Sequence, residues 1–155
     1  MITEDLADEL SKEQIAYELV AHRHTEHARD EAAALGVAQE EVGKTLILTS
    51  GSGYIRAVIP ASERLDLQKV REHVGSGAET RLATERELVG AYPGFELGAV
   101  PPFGGPPGDR VLVDRHIAAL GWVIVEAGTH EESLRMRTAD LLALTKAEVA
   151  DFCLD

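Results

Sequence analysis

The chain has 155 residues, 45% of them hydrophobic, and its 27 acidic against 15 basic residues give a formal net charge of −12. That length suits one domain, 1–155, with a substantial core, and the acidic balance argues against indiscriminate nucleic-acid binding, whose affinity comes from Lys and Arg on phosphates. No apolar run approaches the roughly 18 residues of a spanning helix, and the start Met1-Ile2-Thr3-Glu4-Asp5 lacks the basic-then-apolar order of a secretory signal, so a cytoplasmic protein without a membrane partner is expected.

The first 16 residues read as a peripheral segment in which Ser11-Lys12-Glu13-Gln14 has the spacing of a capping box and starts a short helix. From Thr25 to Leu35 the Ala- and Glu-rich composition predicts a second helix, capped by Thr25 and stopped by Gly36. Lys44–Thr49 and Tyr54–Ile59 flank Ser50-Gly51-Ser52-Gly53 and read as a β-hairpin. Pro60 stops the second strand, and Leu65, Leu67, Val70 and Val74 form an apolar helical stripe that ends at Gly75. Thr84-Glu85-Arg86-Glu87 is another capping box, followed by a Gly/Pro-rich ordered loop from Tyr92 to Gly108. Val111–Val113, Trp122–Val125 and Leu134–Arg137 read as strands, with Thr138 and Thr145 capping closing helices. Strands interleaved with helices, without repeat or linker, predict one mixed α/β unit.

The lone cysteine, Cys153, excludes an intrachain disulfide and a thiolate-rich metal site. Basic residues group sparsely as Arg23 with Arg29, then Arg64, Lys69 and Arg71, then Arg135 with Arg137. The cluster His22, His24 and His27, with Glu26 and Asp30 nearby, offers imidazoles to Zn²⁺, but one continuous helix would not turn all three to one face. Exposed or capping histidines are the competing reading. No Ser-His-Asp or Cys-His arrangement is evident, which disfavours a covalent acyl-enzyme.

Four segments occur in a distinctive order: Val42-Gly43-Lys44-Thr45-Leu46, Gly98-Ala99-Val100-Pro101-Pro102-Phe103-Gly104, Val113-Asp114 and Glu126-Ala127-Gly128-Thr129-His130. Together they resemble the YbaK/ProX-like aminoacyl-tRNA deacylases, over roughly residues 17 to 152. The resemblance implies a mixed β-barrel-like sheet with surrounding helices and a pocket for the aminoacylated 3′ terminus of tRNA. The implied activity is free-standing hydrolysis of mischarged tRNA bearing a small amino acid such as Ala, Ser or Cys. A substrate met only at its 3′ end touches few phosphates, which reconciles it with an acidic chain.

Within that resemblance Lys44 matches the functional lysine, suited to a terminal phosphate or to polarising the ester carbonyl. Without it, Lys44 reads as a solvated strand-end lysine. Gly98 and Pro102 match a Gly-x-x-x-Pro substrate clamp, and the carbonyls around Pro101 and Pro102 suit an ammonium group; a rigid surface turn is the alternative. His130 is placed on a turn where it either faces a cleft or lies in solvent, and His24 and Thr25 border the pocket. Asp114 reads as a cap. No cofactor or metal is expected. The expected partner is mischarged tRNA through its 3′ end, with room for a transient synthetase contact. A noncatalytic module that binds a tRNA end, and a metal-dependent hydrolase, are the competing functions.

Overall fold

The computed structural model describes residues 4–50, 53–75, 79–105 and 108–155. Two apolar runs at its centre pair as an antiparallel hairpin, β2 (Val42–Thr49) and β3 (Tyr54–Pro60), with Gly43 opposite Pro60 and Thr49 opposite Tyr54. Gly51 and Ser52 of the connecting turn lie outside the described residues. The other strands are β1 (Tyr17–Ala21), β4 (Arg81–Leu82), β5 (Arg110–Asp114), β6 (Trp122–Glu126), β7 (Glu132–Arg137) and β8 (Glu148–Ala150). Together they make an eight-stranded sheet in the order β1-β7-β6-β2-β3-β5-β8, with β4 paired to β2. β6 runs parallel to β2, and β5 parallel to β3 and β8, so the sheet is mixed, as expected.

Strand pairs set which side chains share a face. Val58, Val123, Val125, Leu134 and Met136 form one core, closed by Leu6 and Leu10 of α1 (Glu4–Lys12), by Ile117 of α5 (Arg115–Ala118) and by Leu141 of α6 (Thr138–Thr145). Val42 and Ile124 pack on Ala28 and Ala32 of α2 (Ala28–Leu35). Leu48, Ile55, Ala57 and Ile59 meet Val70 of α3 (Leu67–Val74). Gly43 is needed where β2 is squeezed between β3 and β6, because a Cβ there would lie 2.9 Å from Val58 Cγ1.

Local signals were reliable where a side chain meets backbone within one turn. Asp66 caps α3 and Thr84 closes a capping box on α4 (Glu85–Ala91) with Glu87. Gly36 and Gly75 end α2 and α3 in the left-handed conformation, and Asp114 caps α5. Four expectations are corrected. Ser11 lies in the last turn of a helix that begins upstream, and Tyr17–Ala21 is a strand. Thr25 does not cap α2: His27 occupies that position, and the Thr25 N–H donates to the His130 carbonyl at 3.0 Å. Thr138 is the first residue of α6, after the N-cap Arg137. Thr145 ends α6, its hydroxyl donating to the Leu141 carbonyl, and the chain continues into β8.

Candidate active site

The turn between β6 and β7 carries His130, only 7% exposed. Its Nε2 lies 2.5 Å from the Leu97 carbonyl oxygen and 3.5 Å from a Glu26 carboxylate oxygen. A carbonyl only accepts, so Nε2 carries the proton in this contact and Nδ1 is the ring's other hydrogen-bonding nitrogen. Gly98 follows at φ +82°, where a Cβ would meet His130 Cε1 at 3.3 Å, so a glycine lets the loop close on the imidazole. The His24 ring sits 5.2 Å from that of His130, and its Nε2 is 2.7 Å from Glu26. That contact raises the affinity of His24 for a proton and lowers that of Glu26. His130, Gly98, His24 and Thr25 are thus assembled in one place.

Beneath them lies a polar network that sequence reading missed. Glu31 of α2, 2% exposed, accepts from the Ser133 hydroxyl, and Ser133 Oγ is 2.9 Å from Nε2 of His22. The Glu31 and Glu126 carboxyls are hydrogen-bonded to each other. Burial, then the other carboxyl, pushes Glu126 well above the usual carboxylate range, and burial raises Glu31 too. Two buried carboxyls in contact share a proton, so the pair pins α2 to the end of β6.

Lys44 stands on β2 one residue beyond the pairing of Gly43 with Val125, beside the end of β6. Half-buried, it has its affinity for a proton lowered first by desolvation and then by the Arg29 guanidinium, with Arg64 adding to the effect. Glu63 is the opposing carboxylate in reach, and the Cys153 thiol, pushed up to about 12 by burial, gives no counter-charge at neutral pH. Among the described residues Lys44, Arg29 and Arg64 form no ion pair, and Lys44 joins neither His130 nor the Gly98 loop by a hydrogen bond; Arg29 Nε donates only to the Ala61 carbonyl, at 3.3 Å. Two guanidiniums acting on the Lys44 ammonium, none of the three in an ion pair, form a setting for an anion.

The loop from Gly98 is held by Arg56 of β3, a residue the sequence reading did not single out. Its guanidinium, 2% exposed, donates to Asp109 at 2.9 Å, to the Pro101 carbonyl at 2.9 Å and to the Gly104 carbonyl at 2.5 Å. It also lies over the Tyr92 ring, whose hydroxyl donates to the same Asp109 carboxylate. The Pro101 carbonyl is therefore already engaged from inside, and Pro101 and Pro102 are buried. An arginine inside an apolar strand run was the available signal, since such a charge is seldom buried unpaired.

The three histidines of the cluster diverge: His22 bonds to Ser133 and His24 to Glu26, while His27 is the N-cap residue of α2, its side chain making no cap hydrogen bond. Among the described residues no three His, Cys, Asp or Glu groups converge as ligands for a metal. None of the described helices is long and apolar enough to cross a membrane.

A family model for the aminoacyl-tRNA editing domain matches residues 22–144, which contain every site element just described. No curated protein sequence matches the chain. Among solved structures, a proposed trans-editing enzyme for prolyl-tRNA synthetase is 26% identical, with a TM-score of 0.87 and full coverage of both chains. The hypothetical protein APE2540 is 29% identical, with a TM-score of 0.88 over 97% of this chain and 100% of its own. The chain belongs to the aminoacyl-tRNA editing domain family, whose YbaK/ProX-like members are trans-editing deacylases.

Proposed function

We propose that this protein hydrolyses the ester of a mischarged aminoacyl-tRNA carrying a small amino acid of the Ala, Ser or Cys class, as a trans-editing factor. The observation that carries the reading is the basic cluster of Lys44, Arg29 and Arg64, opposed by the Glu63 carboxylate and forming no ion pair among the described residues, beside the end of β6, from which the His130 turn springs. A phosphate near the 3′ terminus supplies negative charge beyond that of Glu63. The ester then lies toward His130 and the Gly98 loop, in which Ala99 and Val100 are buried.

The candidate nucleophiles are engaged or inert: Ser133 is hydrogen-bonded to Glu31, and Cys153 stays protonated. Water is therefore the attacking group, aided by the terminal ribose hydroxyl of the tRNA. Attack forms the C–O bond to water, which gives up a proton; collapse breaks the ester C–O bond and expels the ribose oxygen, which takes that proton up. His130 Nδ1 suits the holding of a water or ribose hydroxyl. A second-site hydrolase is needed because a synthetase pocket discriminates poorly between amino acids differing by a methylene. The test is amino-acid release from charged tRNA and from tRNA lacking the terminal 2′-hydroxyl. Equal rates on both would contradict assistance by the ribose, and tight binding of charged tRNA without release would favour a noncatalytic module.

A further inference from the structure

Strand register places a basic track on the same sheet face as this site. Glu126 is opposite Ser133, Ile124 opposite Arg135, and Trp122 opposite Arg137, so these six side chains share one face of β6 and β7. Ser133 and Glu126 belong to the network under the His130 turn. At the far end Trp122 is 37% exposed, and both guanidiniums lie over its indole, Arg135 at 4.5 Å and Arg137 at 5.0 Å. Stacking on a rigid ring holds the two cations in place and leaves their N–H edges free to donate.

The neighbours neutralise them only in part. From β1, Glu18 reaches Arg135 at 4.0 Å, a contact between side chains 65% and 41% exposed, and Arg137 makes no ion pair among the described residues. In a chain of net charge −12, two guanidiniums stacked on one indole stand out as an anion-seeking surface. Alternate residues on a strand are about 6.6 Å apart, so Arg137 lies roughly 13 Å from Ser133. That is roughly four steps of a nucleic-acid strand at 3.4 Å each.

We propose that Arg135, Arg137 and Trp122 form a docking track for the phosphate backbone of the acceptor arm, a few nucleotides inward of the 3′ terminus held at the site. The track rests on the deacylase reading for its partner. It explains how an acidic protein holds a polyanion: the contact is local, and it reads backbone rather than bases.

The experiment compares the parent protein with Arg135→Gln/Arg137→Gln, and with Arg137→Gln alone, on full-length aminoacyl-tRNA and on an aminoacylated CCA trinucleotide. On the full-length substrate the double variant should lose about tenfold in kcat/KM. The slope of log(kcat/KM) against log[salt] should flatten by about 1.5 to 2, with about half that change for the single variant. On the trinucleotide, which lacks the inward phosphates, variants and parent should match. Equal rates on full-length tRNA, or equal losses on both substrates, would overturn the track. Should the parent hydrolyse neither substrate, the deacylase reading fails by itself. Salt-dependent binding of uncharged tRNA, read by fluorescence anisotropy, then decides the track: flattening in the variants supports it, and an unchanged slope overturns it.

Discussion

His130 Nε2 and the Leu97 carbonyl oxygen lie 2.5 Å apart, joining the turn after β6 to the residue that precedes Gly98. This bond fixes the tautomer of the imidazole and sets the loop on top of it. Its geometry depends on a glycine next door, because the Gly98 backbone is left-handed and faces His130 Cε1.

Gly98→Ala should therefore cost ~1–2 kcal/mol from the left-handed backbone alone. It should also lower kcat/KM by more than the loss of stability explains, since the new methyl pushes His130 aside. Thermal melts together with single-turnover deacylation check this. Unchanged activity in a destabilised Gly98→Ala protein would contradict the coupling of loop and imidazole.

Arg56→Met removes three donors from a buried site and leaves Asp109 with Tyr92 as its remaining side-chain partner among the described residues. Breaking a buried pair in this way costs ~3–5 kcal/mol. Arg56→Lys keeps the charge but not the planar fork, and should fall between. The loop then loosens, so hydrogen exchange should rise at Ala99 and Val100, with KM rising more than kcat falls. Exchange rising evenly across the chain would point to global destabilisation instead.

The Glu31–Glu126 pair makes stability depend on pH with a definite sign. The native carboxyls hold their proton above the usual carboxylate range, so the folded state binds more protons than the unfolded state at mildly acidic pH. Stability falls as pH rises from about the ordinary glutamate value of 4.3 through the raised native values. Glu126→Gln keeps the shape and removes the charge, and at pH 7 to 8 it should raise Tm by a few degrees, the shift ~1 kcal/mol gives a domain of this size. At pH 4 the gain should vanish. A gain independent of pH would show that ionisation of the pair is not its source.

The contrast between Lys44 and Arg56 shows what was legible in the sequence. Lys44 heads an apolar strand within an ordered set of motifs, so it could be placed on β2 before any coordinates, as could the loop from Gly98 and the turn at His130. Arg56 sits in an equally apolar run, but its partners Pro101, Gly104 and Asp109 are 45 to 53 positions away, and only the folded chain brings them together. The same holds for Glu31 and Ser133, which are 102 positions apart. Thr25 has the composition of a helix cap, yet its backbone bonds across to His130, a tertiary contact that outweighs local capping propensity. β1 was hidden because an edge strand, exposed along most of its length, lacks clean alternation.

The measurement that bears most directly on function is amino-acid release from a panel of Ala-, Ser-, Cys-, Pro- and Thr-charged tRNAs by the parent protein and by Lys44→Ala. Rapid release from one or two small-residue substrates is expected, reduced by roughly 10²–10³ in the variant if Lys44 stabilises transition-state charge, with the melting temperature retained. No release across the panel, or undiminished release by Lys44→Ala, would contradict the deacylase assignment or the place of Lys44 in it, respectively.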